Sequence, residues 1–226
     1  MTPLQIILSL LAALFVLLTA RMALPKIALA SFPGKVRSRF LEPAQTQASL
    51  SRSPALQEQV KKLSELGFET LGIKVEAPPF SRNRYFEFNL ASTDLQTFAS
   101  IVLHPSGKPL GTYLFTPFED GGMIFTRSYP AYPEIEAPGV SIHSVLGGNF
   151  DTMLANHLNR VEQNKLQGRQ PYPSFDQPAR LRATHAFYVS PFTINRFKLL
   201  FSYEALLFSL ALLLLALAIW SILFSL

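Results

Sequence analysis

Residues 205–226 form a predominantly apolar run without one charged side chain. At about 1.5 Å per helical residue such a run reaches roughly 33 Å, enough to cross the hydrocarbon core of a bilayer. A second uncharged run, residues 4–20, sits at the short edge of the spanning range, and either Met1 to Pro3 in front or Met22 to Leu24 behind, with Arg21 snorkelling, extends it. These two runs predict transmembrane helices over 1–24 and 203–226, with a water-facing region between them. Leu18-Thr19-Ala20 ends the first run in small residues, as a signal cleavage site does. No Lys or Arg precedes that run, so an uncleaved anchor is expected rather than a removed signal.

Basic residues flank the inner ends of both runs. Arg21, Lys26, Lys35, Arg37 and Arg39 follow the first, and Arg180, Arg182, Arg196 and Lys198 precede the second. The outer tips carry none. The positive-inside rule then predicts a two-pass protein of the inner (cell) membrane with a cytoplasmic central domain and both termini outside. The same residues account for the net charge of +5. Between Pro54 and Pro178, ten Lys and Arg stand against thirteen acids, so the folded part is slightly acidic. The lipid bilayer is thus the expected partner of the basic residues, chiefly Arg21, Lys26, Lys35, Arg37, Arg39, Arg196 and Lys198, each attracted to anionic headgroups by about 1 kcal/mol. Nucleic acid is not an expected partner.

Residues 25–53 mix basic residues, Gln, Ser and Pro without a period and are expected to be a tether. Ser53-Pro54 is an N-cap followed by proline at the first helical position, and Leu56, Val60, Leu63 and Leu66 share one face before Gly67. From Phe68 the period changes to two. Strands are predicted over 68–75, 84–90, 98–103, 110–116 and 123–128, joined by turns at Pro78-Pro79, His104-Pro105-Ser106-Gly107 and Asp120-Gly121-Gly122. In the second of these, Phe86, Phe88 and Leu90 point one way and Tyr85, Glu87 and Asn89 the other, which reads as a strand with one solvated face.

Pro130, Pro133 and Pro138 exclude a central strand or helix interior over 129–139. A short strand over 140–146 is possible, and Gly147-Gly148-Asn149 introduces a helix over 150–167 with Leu154, Leu158 and Val161 inward. The expected fold is α+β: an antiparallel meander of about five strands flanked by two helices, over residues 54–168. Residues 169–202, with Pro171, Pro173 and Pro178, are expected to be a stiff linker and juxtamembrane segment. Residues 184–203 read either as a further strand over 186–189 or, preferably, as an interfacial helix from about Pro191, whose own alternative is the first turns of the spanning helix.

The residues offer little catalytic chemistry. There is no cysteine, no HExxH and no GxSxG. His104, His143, His157 and His185 are too scattered for a metal site, Ser144 beside His143 is only sequence adjacency, and His157 is read as part of a solvated helix face. Asp120 is explained by turn chemistry, and Glu134 and Glu136 by solubility. No catalytic residue, metal or cofactor is expected. Neither spanning run holds an ionisable residue, which argues against transport or proton relay by this chain alone. The aromatics Phe80, Tyr85, Phe86, Phe88, Phe98, Tyr113, Phe115, Phe118 and Phe125 gather on the meander. Most are expected in the core, with Tyr85, Tyr113 and Phe118 as a possible docking surface.

The stretch Leu63-x-x-Leu66-Gly67-Phe68, then Val102-Leu103-His104-Pro105, then Phe118-Glu119-Asp120-Gly121-Gly122 with Thr126, resembles a pattern of uncharacterised bacterial proteins. That resemblance spans about half of the chain, implies a small α+β domain, and supplies no activity. The expectation is a non-enzymatic membrane-tethered interaction module, an accessory or assembly subunit bound to a membrane-protein partner or to another copy of itself. The alternative is a membrane-surface enzyme or a lipid- or small-molecule-binding domain. The second predicts a deep cavity lined by meander aromatics beside a perturbed acid or histidine; the first predicts a flat or convex apolar patch.

Overall fold

The computed structural model describes residues 3–79, 81, 83–129, 134–145 and 149–224. Phe80, Pro130, Pro133, Gly147 and Gly148 lie outside the described residues. The chain is α+β, with a mixed sheet of eight strands rather than about five. Helix α1 (Pro3–Ser31) is followed by a 3-10 turn, strand β1 (Arg37–Phe40) and helices α2 (Pro43–Ser51) and α3 (Pro54–Glu65). Strands β2 (Glu69–Ala77), β3 (Tyr85–Ser92), β4 (Thr97–Leu103), β5 (Pro109–Pro117), β6 (Met123–Arg127), β7 (Ile135–Ala137) and β8 (Val140–Ser144) come next. Helices α4 (Phe150–Leu166), α5 (Gln177–Val189) and α6 (Pro191–Leu223) complete it.

Consecutive strands β1 to β6 pair antiparallel, each with the next. The chain then crosses over, so that β8 lies parallel to β6 and β7 closes the edge against β8. The proline-rich stretch therefore contributes only an edge strand, where a missing N–H does not interrupt a ladder. Residues 25–53 are not a plain tether. Strand β1 pairs with β2 from Arg37 opposite Ala77 to Phe40 opposite Lys74, and α2 seats Thr46 where its Oγ1 accepts the Ile73 N–H at 3.3 Å. That approach uses a bulge at Gly72 (φ +115°), where a Cβ would lie 3.4 Å from Thr46 Oγ1.

Strand alternation gives the sheet two different faces. Leu56, Val60 and Leu63 of α3 and Met153 and Leu154 of α4 pack on Ile73, Val75, Phe88, Leu90, Ala99, Ile101 and Leu114 to form the main core. Ser53 caps α3 by accepting from Leu56 N, and Asn149 caps α4 by accepting from Thr152 N. Phe118, expected on a docking surface, is fully buried here with Ile124 and Val161. The strand side chains at the intervening positions face α5. A smaller cluster of Ala91, Phe98, Phe115, Phe175, Ala179 and Ala183 holds that helix down. From Glu87 onward the face of β3 read as solvated is therefore covered, and the segment read as a linker, with a strand at 186–189 as one alternative, is helical and packed.

Helix α1 continues past Pro25 to Ser31, beyond the expected end near residue 24. Proline removes a single N–H donor, and a neighbouring helix makes that tolerable in an apolar setting. Among the described residues, Gln5–Ala28 is the one helix long and apolar enough to cross a membrane, and the apolar stretch Ala205–Ser221 within α6 is shorter. The two helices pack side by side and antiparallel, with Gln5 Nε2 donating to the Ser221 carbonyl at 3.1 Å. Small residues, Thr19, Ala23 and Ala211, are buried in this hairpin, whereas Leu10, Leu17, Leu206 and Leu213 face outward. Helix α6 starts at Pro191, directly after the cap residue Ser190, and runs unbroken to Leu223.

Candidate functional site: an amphipathic cavity beneath helices α5 and α6

A cavity of about 330 Å³ lies between the sheet and the α5–α6 corner. Sheet register sorts the strand face on this side into rows, of which Tyr113, Arg127, Phe115, Phe125, Ile142 and Met123 reach the cavity. One row runs Asn89, Ser100, Tyr113 and Arg127 across β3 to β6, with Lys74 opposite Glu87 beside it. The adjacent row runs Ala91, Phe98, Phe115, Phe125 and Ile142, with Met123 beyond. One half of the floor is thus ionic and the other aromatic and aliphatic. Ala183, Thr184, Phe187 and Tyr188 of α5 and Phe192, Thr193 and Arg196 of α6 form the opposite wall.

The ionic half is a closed network. Lys74 Nζ pairs with Glu76 and with Glu87 Oε2 (2.9 Å), and donates to Thr184 Oγ1 (2.9 Å). Arg180 donates through Nε to Asn89 Oδ1 (2.7 Å), through Nη1 to Thr184 Oγ1 (2.6 Å) and through Nη2 to Glu87 Oε2 (2.9 Å). Tyr113 donates to Glu87 Oε1 (2.8 Å) and Tyr188 to Glu76 Oε2 (2.7 Å). The Arg180 guanidinium lies 4.4 Å above the Phe115 ring, joining the two halves.

Burial pushes the Glu87 carboxyl up, but Lys74 and Arg180 outweigh it and hold it below its ordinary value. Burial, reinforced by Glu87, pushes the Tyr113 hydroxyl well up, and burial with Glu76 does the same to Tyr188. Both tyrosines therefore stay neutral donors. Two cations balance two carboxylates here, so the network has no charge to spare for chemistry. Desolvation offsets most of the attraction in such a cluster, and its contribution is the seating of one particular helix on one particular strand row.

The site residues expected from sequence separate. Tyr113 belongs to this cavity, Tyr85 is exposed at the start of β3, and Phe118 lies in the opposite core under the Arg169 guanidinium. Of the basic residues, Arg196 lines the cavity. Lys35 and Arg37 join Arg84 around a cleft beside Phe32, Pro78 and Pro79; Arg39 and Lys198 are exposed, as is Arg21, and Lys26 is half-buried. Lys74, Glu76, Glu87 and Arg180 were not singled out from sequence as site residues. Their signal was charge placed inside β-branched and aromatic strands, which reads as a wet face until a helix covers it.

Compared with protein-family models, curated protein sequences and solved structures, the chain gives no match. The remaining polar clusters are structural. His157 is fully buried, not on a solvated face, with its ring nitrogens 3.1 Å from Thr116 Oγ1 and 3.0 Å from Thr126 Oγ1. Burial lowers its pKa to about 3 and keeps it neutral. His143 and Ser144 point to opposite faces of β8: Ser144 Oγ accepts from Arg127 Nε, while His143 Nε2 lies 2.7 Å from Glu136 and 2.8 Å from Arg160. They do not form a nucleophile–base pair. Asp120 Oδ1 accepts the Gly122 N–H, and both its oxygens accept from Arg169, which depresses its pKa and locks the hairpin to the end of α4. Among the described residues no group of three or more potential metal-ligating side chains occurs.

Proposed function

We propose that this chain is a two-pass membrane protein whose cytoplasmic domain binds an amphipathic small molecule in the cavity beneath α5 and α6. The carrying observation is the cavity itself: it lies within the size range of small-molecule sites, about 300–1,000 Å³, and is divided by sheet register into polar and apolar halves. Phe115 and Phe125 of the meander line it beside Glu87, whose carboxyl is perturbed, and this supports the ligand-binding reading. The antiparallel α1–α6 hairpin with outward leucines supports insertion of both helices in one bilayer. The arginines and lysines near its inner end support the cytoplasmic placement.

The reading is tested by releasing the full chain from its native membrane in mild detergent and recording a native mass spectrum. Binding predicts the 25.2 kDa chain carrying a few hundred daltons of retained small molecule, lost in the cavity-filling variant Phe187→Trp. A stoichiometric complex with another polypeptide and no retained small molecule would sink the proposal and return the protein to the interaction-module class.

A further inference from the structure

The junction between α1 and the sheet builds a second cleft, of about 530 Å³, lined by Phe32, Lys35 and Arg37 together with Pro78, Ser81 and Arg84. The pairing of Arg37 with Ala77 brings the β2–β3 turn alongside the end of α1, so Arg84, distant in sequence, joins the two earlier cations. Arg84 Nη1 donates to the Ser81 and Asn83 carbonyls at 3.0 and 3.1 Å, which folds the guanidinium against the turn but leaves its charge uncancelled. Every charged side chain of the described lining is cationic, and among the described residues none of the three forms an ion pair with a carboxylate. On α3 and α4, by contrast, Lys61, Lys62 and Lys165 each stand beside a glutamate one turn away.

Height along α1 identifies what such a cleft would meet. Phe32 follows the apolar span Gln5–Ala28 by four residues, its N–H donating to the Ala28 carbonyl at 2.8 Å, so it stands about 6 Å beyond the end of the span. The headgroup layer on each side of the hydrocarbon core is about that thick. Phe32 is exposed, an aromatic ring at the level where such rings anchor, and Lys35 and Arg37 lie just past it. Guanidinium groups grip phosphate oxygens in pairs, and a lysine adds a point charge. We propose that this cleft is a headgroup site for an anionic phospholipid, the phosphate held by Lys35, Arg37 and Arg84 and the acyl chains left in the bilayer. The proposal rests on the membrane reading of α1 and α6, and not on the cavity beneath α5.

The test titrates the full chain in mild detergent with dioleoyl phosphatidylglycerol or dioleoyl phosphatidylcholine and counts retained lipid in native mass spectra. A headgroup site retains one phosphatidylglycerol in preference to phosphatidylcholine. Arg84→Gln and Arg37→Gln, both at exposed positions, each cut that preference about fivefold, the scale of one basic residue at an anionic headgroup. Arg39→Gln, which removes a charge from the same strand outside the cleft, leaves it unchanged, as does Phe187→Trp. Equal retention of the two lipids, or an equal loss in Arg39→Gln, would overturn the site in favour of diffuse attraction. Displacement of the lipid by millimolar glycerol phosphate would overturn the lipid as the source of the phosphate. Release of the chain from native membranes by alkaline carbonate would instead overturn the membrane reading beneath the proposal.

Discussion

The two faces of the sheet are built to different ends. Toward α3 and α4 the strands present Ile73, Phe88, Leu90, Ile101 and Leu114, all almost completely excluded from water and clustered with the apolar side chains of those helices. The polar interruption at His157 is closed off by two threonines. Toward α5 and α6 the same strands present Lys74, Glu76, Glu87, Asn89, Ser100 and Tyr113, and space is left over. A covering helix that rests on an ion network is located by directional bonds rather than by close packing, so a void can persist beside it.

If that contrast holds, truncation on the two faces has different consequences. Phe88→Ala should cost about 3–5 kcal/mol, read in urea melts of the full chain in detergent, because it opens a hole in a filled core. Phe187→Ala, at the cavity wall, should cost roughly 1 kcal/mol or less, since its neighbours already border empty space, and should widen the cavity rather than close it. Similar costs for the two would erase the distinction between a filled and an unfilled face.

Next in size is the network. Arg180→Met leaves Glu87 buried beside Lys74 alone and should destabilise by about 3 kcal/mol, with Glu87→Leu added on top costing clearly less than its own single effect. Strict additivity in that double-mutant cycle would mean that the network does not act as a unit in seating α5.

Acid separates the faces by a third route. The folded pKa of His157 is depressed from 6.5 to about 3, so the unfolded chain binds the extra proton within that window. Its contribution is complete above pH 6.5 and falls as the pH drops toward 3, by up to about 1.4 kcal/mol per pH unit. Glu87 is also depressed, from an ordinary 4.5, and its contribution is lost only as the pH falls below that value. Between pH 6.5 and 5 the stability slope should therefore belong to the α4 face and flatten in His157→Gln; a slope unchanged in that variant would remove the buried neutral histidine from the account. Smallest of all, Tyr85→Ala at the exposed start of β3 should move stability by no more than about 0.5 kcal/mol and leave ligand retention untouched.

The contrast also explains what could be read from the residues. The period of two and the Gly-, Pro- and Asp-containing turns locate the strands from β2 to β6, and Ser53 and Asn149 mark the helices that cover the apolar face. Helix α5 escaped because its buried positions, Ala179, Arg180, Ala183 and Thr184, are small or polar. A helix lying on a polar face carries no hydrophobic stripe of its own. For the same reason Glu87 and Asn89 looked like solvent-facing residues, and Lys74 and Glu76 drew no notice. Strand β1 was hidden among basic residues on a sheet edge, and the parallel return of β8 beside β6 has no local signature, since it depends on where the chain re-enters the sheet. Tyr113 was noticed for its aromaticity, but its hydroxyl partner Glu87 lies 26 positions away and only the register joins them.

Helix α6 gives the cavity a mechanical reach. Its 33 residues make a rod about 50 Å long, with Phe192, Thr193 and Arg196 at the near end and the apolar hairpin along the rest. Ser190, in an extended backbone conformation, is the single residue between α5 and α6 and sets the angle between them. A tilt of about 5° there displaces the far tip by about 4 Å, because a continuous helix carries the motion as a stiff arm rather than dissipating it in a joint. The angle at which α6 leaves the sheet therefore also fixes the attitude of the α1–α6 pair.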